Sequence, residues 1–255
     1  MLLVLEVGNA TTTLGAFRGD ELVFTARTAT RHTPLPDEHA LMLGQLLALY
    51  GCAPNSFDGA AISSVVPGLY PALTAAVKQL CGCAAVCVGP GVKTGLDIRL
   101  DAPAALGSDR VCGAVAAASA YPLPALVCNF GTATTICCIG DGGQYLGGCI
   151  APGVEVGAQA LADRAAQLPQ VALKAPASVL GKNTAEAMQA GIVYGAASMV
   201  DGMVARYTQL LGQAPTVVAT GEFAPLIAPC CRTPLVQDAH LLLRGLRQIY
   251  CKNRR

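Results

Sequence analysis

Apolar positions along this chain switch between short continuous runs and helical spacing, and each switch marks an element. The run Leu2-Leu3-Val4-Leu5 ends at Glu6-Val7-Gly8, which predicts a buried strand entering a tight turn. Residues 21–29 read as a strand, and the spacing of Leu41, Leu43, Leu46, Leu47 and Tyr50 predicts a helix over 36–50. A strand over 60–66 precedes a helix over 67–80, with Pro67 in a natural starting position. An apolar helix follows Asp109 and runs to about 121. Tyr121-Pro122-Leu123-Pro124 then breaks the pattern and divides the chain into a lobe over 1–120 and a second over 121–255. The second lobe reads as strands over 125–129, 133–139 and 144–150, helices over 154–168 and 184–211, a strand over 216–220 and a helix over 239–252. This alternation predicts an α/β fold.

The opening segment occurs twice. Leu3-Val4-Leu5-Glu6-Val7-Gly8-Asn9-Ala10-Thr11-Thr12-Thr13 returns, 123 positions on, as Leu126-Val127-Cys128-Asn129-Phe130-Gly131-Thr132-Ala133-Thr134-Thr135-Ile136. An ungapped shift puts Val4 on Val127, Gly8 on Gly131, Ala10 on Ala133, Thr11 on Thr134 and Thr12 on Thr135, and Glu6 on Asn129. Such a match predicts an internal duplication. In each copy a buried strand ends in an acidic or amide residue and turns through glycine and small hydroxyl residues. Free N–H groups and threonine hydroxyls in that turn are donors for phosphate oxygens. Two such hairpins facing each other would hold a nucleoside triphosphate. Either hairpin alone would read as an ordinary threonine-rich turn.

Composition narrows the field. Hydrophobic residues make up 53% of the 255 and charged residues 13%, which excludes disorder. The formal net charge is +1 and there is no basic run, so neither nucleic acid nor an anionic membrane is the expected partner. The stretch between Arg110 and Asp141 carries no charge and is long enough to span a bilayer. Pro122, Pro124, Asn129 and the 131–135 cluster interrupt it, and it reads as a buried helix followed by buried strands. The 12 cysteines include no Cys-x-x-Cys pair, and His32, His39 and His240 are not at zinc-ligand spacing from them. Cys128, Cys137, Cys138 and Cys149 fall in apolar runs, where cysteine packs as a small hydrophobe. With no export signal read at the start, a reducing cytoplasm is the expected compartment.

Eight words carry a resemblance to a known family. They are Glu6-Val7-Gly8-Asn9, Ser63-Ser64-Val65-Val66-Pro67, Val88-Gly89-Pro90-Gly91-Val92-Lys93-Thr94-Gly95-Leu96, Gly107-Ser108-Asp109-Arg110, Phe130-Gly131-Thr132-Ala133-Thr134-Thr135, Ile150-Ala151-Pro152-Gly153, Gly181-Lys182-Asn183-Thr184 and Gly245-Leu246-Arg247-Gln248-Ile249-Tyr250. In this order and over nearly the whole chain, they resemble type III pantothenate kinases, within the acetate kinase, sugar kinase, Hsp70 and actin superfamily. The resemblance implies two duplicated actin-like or ribonuclease-H-like α/β lobes. It implies ATP-dependent phosphorylation of pantothenate to 4'-phosphopantothenate, the opening step of coenzyme A synthesis. It also implies Mg²⁺ with the ATP, a monovalent cation (K⁺ or NH₄⁺) and a homodimer. Residue by residue, Glu6, Val7, Gly8, Asn9, Ala10, Thr11, Thr12 and Thr13 would form the first phosphate loop, and Thr132 would contact ATP from the second. Leu100, Gly107, Ser108, Asp109, Arg110 and Thr184 would hold pantothenate, with Asp109 taking the proton of its hydroxyl. Asn129 would stand at the cation site.

The chemistry of these residues agrees with such roles. Asp109 precedes the apolar run from Val111, where a carboxylate caps free N–H groups and is expected to stay ionised. A largely dissociative phosphoryl transfer makes late demands on its base, so such a carboxylate serves by orienting the alcohol. A guanidinium such as Arg110, or a helix N-terminus, reads the substrate's carboxylate. Asn183 and Glu186 have capping-box spacing, which leaves the Thr184 hydroxyl for a ligand. Gly181-Lys182 lacks the other residues of a Walker A loop, since Pro176 stands at the first glycine and Asn183 at the Ser/Thr.

The departures cluster at the chemistry. The family pattern has Asp at positions 6 and 129, Tyr at 100, Asp at 137 and a second Gly at 222, where this chain has Glu6, Asn129, Leu100, Cys137 and Glu222. Glu6 is expected to keep the charge but move it outward by about 1.5 Å, whereas Asn129 contributes a neutral oxygen. These changes motivate two other readings, a kinase-derived protein that binds pantothenate or a nucleotide without efficient turnover, and a kinase for another small molecule. The helix over 184–211, apolar around much of its circumference, predicts burial on several sides and a two-fold dimer through the second lobe.

Overall fold

The computed structural model describes residues 1–254. In chain order its first half holds β1 (Leu2–Val7), β2 (Thr11–Arg18), β3 (Glu21–Ala29), α1 (Pro36–Leu49), β4 (Gly59–Ser64), α2 (Tyr70–Cys81), β5 (Ala85–Cys87), β6 (Asp97–Ile98) and α3 (Ser108–Ala120). The second half holds β7 (Ala125–Phe130), β8 (Ala133–Ile139), β9 (Gln144–Pro152), α4 (Val154–Arg164), α5 (Thr184–Leu211), β10 (Thr216–Thr220), α6 (Ala224–Ile227), β11 (Val236–Gln237) and α7 (Leu241–Asn253).

These elements form two compact units. One comprises Met1–Gly95, Ala102–Ala116 and the chain from Leu241 on, and the other Leu96–Asp101 and Ala117–His240. The sheet of the first runs β3-β2-β1-β4-β5, and that of the second β9-β8-β7-β10-β11 with β6 added beyond β9. In both, the leading strand pairs antiparallel with the next strand and parallel with the fourth of the set. The duplication read in the sequence is a duplication of topology.

The copies differ by one residue at the turn. Glu6 pairs with Thr13 and Val7 with Thr12, and the turn closes with the Gly8 N–H donating to the Thr11 carbonyl at 2.9 Å. Asn129 pairs with Thr135 and Phe130 with Thr134, and the Gly131 N–H donates to the Ala133 carbonyl at 3.1 Å. The ungapped sequence match therefore slips in space, and the partner of Thr12 in the second hairpin is Thr134 rather than Thr135.

Each leading strand is central and buried except at its fifth residue, Glu6 or Asn129. In the first unit Leu3, Leu5 and Val7 face a core closed by Leu43 and Leu47 of α1 and Leu73 and Val77 of α2. The opposite face receives α7, whose Leu241, Leu243, Leu246 and Ile249 are buried. This terminal helix, placed in the second lobe by the sequence reading, belongs to the first unit. A linear boundary at 121 could not show that the chain returns. Gly245 lies against the Cys112 carbonyl of α3 and Gly59 against the Tyr250 ring, with no room for a Cβ at either. Arg247 donates to the Gly19 carbonyl at 2.6 Å and pairs with Asp20, which ties α7 to the β2–β3 turn.

Several boundaries moved for local reasons. Pro67 opens a 3-10 turn and α2 starts at Tyr70, because Pro71 has no N–H to donate back to residue 67. Helix α4 stops at Arg164 rather than 168, and Pro169 disfavours helix at Leu168. Helix α5 is capped as expected: Asn183 Oδ1 accepts the Glu186 N–H at 2.9 Å, and Glu186 accepts the Lys182 N–H at 2.9 Å. Within the single chain it offers one face to the core. Met188, Val193, Ala197, Val200 and Val204 form one buried face, Ile192, Tyr194, Met199 and Met203 are half-buried, and Gly191, Gly195 and Ser198 are exposed. Among the described residues, no helix is long and apolar enough to cross a membrane, no disulfide is formed, and no group of three acidic, histidine or cysteine residues is placed to hold a metal ion.

The packing of α7 gives a test. Gly245→Ala should destabilise the protein by about 1–3 kcal/mol in urea unfolding, because the new methyl meets backbone that cannot swing away. Gly44→Ala, within α1, whose methyl would make an ordinary 3.5 Å contact with Leu80 of α2, should be neutral or stabilising.

Candidate active site

The first unit assembles its chemistry where β1 ends. Parallel pairing places Ser63 of β4 beside Glu6, and the Ser63 hydroxyl donates to Ser108 Oγ at 2.9 Å. Ser108 in turn donates to the Ser64 carbonyl at 3.0 Å. These bonds hold the first turn of α3 against the end of β4 and carry Asp109 to the neighbourhood of Glu6. Because α3 starts at Ser108, Asp109 lies within the first turn rather than before the helix. Its carboxylate folds back over Gly107, where a Cβ would stand 2.6 Å from Asp109 Oδ1.

The loop from Asn9 is pinned from behind. Thr30 donates to the Gly8 carbonyl at 2.8 Å, its hydroxyl lies 3.0 Å from that of Thr12, and its N–H donates to the Ala10 carbonyl at 2.8 Å. Thr12 is thereby turned inward and buried, and the Val7 side chain is buried as well. Asn9 and Ala10 are exposed, and Thr11 and Thr13 half-buried. A Cβ at Gly8 would stand 2.9 Å from the Thr11 carbonyl, so the turn is cut for glycine.

Burial governs the carboxyl groups. Glu6 is pushed up to about 7, by desolvation first and the Asp109 charge second, against a smaller opposing effect of Arg27. Asp109 also lies above its ordinary value through burial, partly offset by the Arg110 N–H, the Arg110 charge and its own N–H. The sequence reading expects both to be plainly ionised. The helix terminus does favour the Asp109 carboxylate, but desolvation outweighs it.

The second unit repeats the arrangement with neutral groups. Asn129 stands between Thr135 of β8 and Thr220 of β10. Gly221 follows at φ +94°, and a side chain there would collide with Asn129 Oδ1 and the Phe130 backbone. The Thr135 hydroxyl is buried without a hydrogen-bond partner in the structure. Thr132 is exposed at the hairpin tip, and its carbonyl accepts the Gly153 N–H at 3.1 Å. Leu100 is half-buried against Gly147 of β9, at 3.7 Å from where a Cβ would stand, and Thr184 is exposed at the start of α5. Cys137 is buried and accepts the Tyr145 hydroxyl at 3.3 Å. The structure thus brings Glu6, Thr13 and Gly107–Arg110 together in one unit. In the other it gathers Asn129 and Thr132 at one hairpin and places Leu100 and Thr184 elsewhere. Ser63, Thr30, Thr135 and Gly221 are added to the candidates; Ser63 and Thr135 stood in quoted words, and Thr30 and Gly221 are revealed by their contacts in the fold.

Comparison with known proteins decides the family. The profile of the type III pantothenate kinases matches residues 2–206. The chain belongs to the type III pantothenate kinase family. A type III pantothenate kinase of Brevibacillus brevis is 43% identical over 257 residues, covering 99% of each chain. One of Anaeromyxobacter dehalogenans is 44% identical over 254 residues, covering 100% of each. Among solved structures, the activator of the 2-hydroxyisocaproyl-CoA dehydratase from Clostridium difficile, with bound ADPNP, superposes with TM-score 0.56 at 13% identity, covering 98% of this chain and 93% of that one. The fold is accordingly the duplicated α/β fold of the actin-like kinases and ATPases, as the pantothenate kinase resemblance implies.

The desolvated Glu6 carboxyl gives a prediction of sign. Its proton is held more tightly in the folded chain than in the unfolded one, so its contribution is favourable at low pH and is lost as pH rises through about 7. Glu6→Gln should stabilise the protein at pH 8 by about 1–3 kcal/mol and leave it little changed at pH 5, as read by urea unfolding at both pH values.

Proposed function

We propose that the protein transfers the γ-phosphoryl group of ATP to the primary hydroxyl of pantothenate, giving 4'-phosphopantothenate for coenzyme A synthesis. The observation that carries this reading is the meeting of Glu6, the Gly8 turn and Asp109 at the end of β1, in a chain that matches type III pantothenate kinases over its full length. Asp109 orients the substrate hydroxyl and accepts its proton as the oxygen closes on the γ-phosphorus. The N-terminus of α3 and Arg110 receive the pantothenate carboxylate.

The Gly8 turn suits a polyphosphate, since Asn9 and Ala10 are exposed at its tip, where backbone N–H groups can meet phosphate oxygens. In the first unit that role falls to the loop over 6–13. Mg²⁺ bound to the phosphates supplies charge neutralisation. Asn129 Oδ1 and the unpartnered Thr135 hydroxyl are neutral oxygens in one row, which suits a weakly held K⁺ or NH₄⁺. A two-fold dimer through the second unit is supported by the exposed apolar side chains Leu146 and Ile150 on β9 and Val156 and Leu161 on α4. A cytoplasmic setting suits a precursor of coenzyme A as substrate and cysteines that form no disulfide among the described residues.

Glu6 and Asn129 favour a second reading, a kinase-derived binding protein. A coupled assay of ADP release with pantothenate, MgATP and K⁺ or NH₄⁺ separates the two. Pantothenate-dependent turnover supports the kinase, and its absence in every cation mixture supports the binding protein. In the active enzyme Asp109→Asn should lower kcat by roughly 10²–10⁴-fold while leaving the KM for MgATP within a few-fold. Asn129→Asp restores a unit charge about 3 Å from the cation, worth several kcal/mol at an effective dielectric near 20 before desolvation. Half-maximal K⁺ activation should then fall by about tenfold or more.

A further inference from the structure

Strand register places four polar side chains in one line across the first sheet. Arg27 of β3 pairs with Thr13 of β2, Thr13 with Glu6 of β1, and Glu6 with Ser63 of β4. Directly opposed residues project to the same face, so all four stand on the side where α3 brings Ser108 and Asp109. Two strand spacings separate the Arg27 and Glu6 backbones, about 10 Å, and a long guanidinium side chain covers much of that span across the small Thr13. Arg27 is exposed, yet its charge is felt at the Glu6 carboxyl.

The groups around Glu6 give this alignment its meaning. From α3 come Asp109, an adjacent negative charge, Arg110, which acts on Asp109, and the buried Cys112 thiol, which feels both carboxyls. From β2 and β4 come the uncharged Thr13 and Ser63. Helix α7 also packs on β1 and carries Arg244, Arg247 and Lys252; Arg247 is engaged with Gly19 and Asp20, and Lys252 donates to the Thr94 carbonyl at 2.7 Å. Two carboxyl groups in one desolvated corner resist being charged together. Arg27 is the cation that the row itself aims at them.

We propose that Arg27 is a positioning residue of the phosphoryl-transfer site, acting across Thr13 on Glu6 to favour the state in which Glu6 and Asp109 are both charged. The kinetic half of this proposal rests on the kinase reading above; the electrostatic half does not. Arg27 needs no contact with either substrate to act in this way.

The test uses the full chain with Arg27→Met, Arg27→Gln and the charge-conserving Arg27→Lys. Glutamate side chains labelled with ¹³C are titrated by NMR, with the Glu6 signal assigned as the one missing in Glu6→Gln. Loss of the cation should move the Glu6 midpoint upward by about half a unit to one unit, and Arg27→Lys should bring most of it back. The acid limb of kcat should move by the same amount in the same variants, with the KM for MgATP nearly constant. An unmoved Glu6 midpoint in both neutral variants overturns the proposal. So does a raised KM for MgATP with an unmoved acid limb, which would make Arg27 a phosphate ligand. If no variant and no wild-type preparation turns over pantothenate, the kinase reading fails while the NMR titration still decides the role of Arg27.

Discussion

Two carboxyl groups share a desolvated corner at the end of the first central strand, and the first unit is arranged around that difficulty. Parallel pairing of β1 with β4 sets Glu6 beside Ser63, and the Ser63–Ser108 bond then swings the start of α3 over the same spot. Without that tie Asp109 would be one of many aspartates in a first helical turn. With it, the carboxylate sits where a helix terminus, a neighbouring guanidinium and a buried neighbour of like charge act together. Desolvation is the largest effect on both groups, and it sharpens every other charge at the site.

The second unit shows the same scaffold freed of that tension. Its leading strand has the same burial pattern and the same neighbours, but the amide of Asn129 replaces a carboxylate and its hairpin is one residue shorter. Gly221 leaves the Asn129 amide the space that any Cβ there would take. A duplicated fold has thus been specialised through two small changes at equivalent places. One copy keeps charge at the strand end, and the other offers neutral oxygens.

Much of this was legible in the chain itself, wherever the signal was local. The repeat, the two central strands and the Asn183–Glu186 cap all follow from residues a few positions apart. What escaped the sequence depends on distant partners. The start of α3 is set by Ser63 and Ser64, over forty positions earlier, and the slip between the hairpins is a matter of pairing that an ungapped match conceals. Short strands such as β5 and β11 give too few residues for a period to appear. Arg27 is an unremarkable surface arginine until register aligns it with Glu6. The raised pKa of Glu6 is hidden from the sequence for the same reason, because residue type reveals charge and says nothing about the water around it.

The return of α7 to the first unit has a consequence for how the protein comes into being. The unit that contains the start of the chain is discontinuous, whereas nearly all of the other lies in the single stretch from Ala117 to His240. On the ribosome, therefore, the later unit has all its strands and helices before the earlier one does. Until Leu241–Asn253 emerges, one face of the first sheet lacks its cover of Leu243, Leu246 and Ile249. A released chain cut short of this helix should therefore present that bare face to chaperones, although every strand and helix of the other unit is complete.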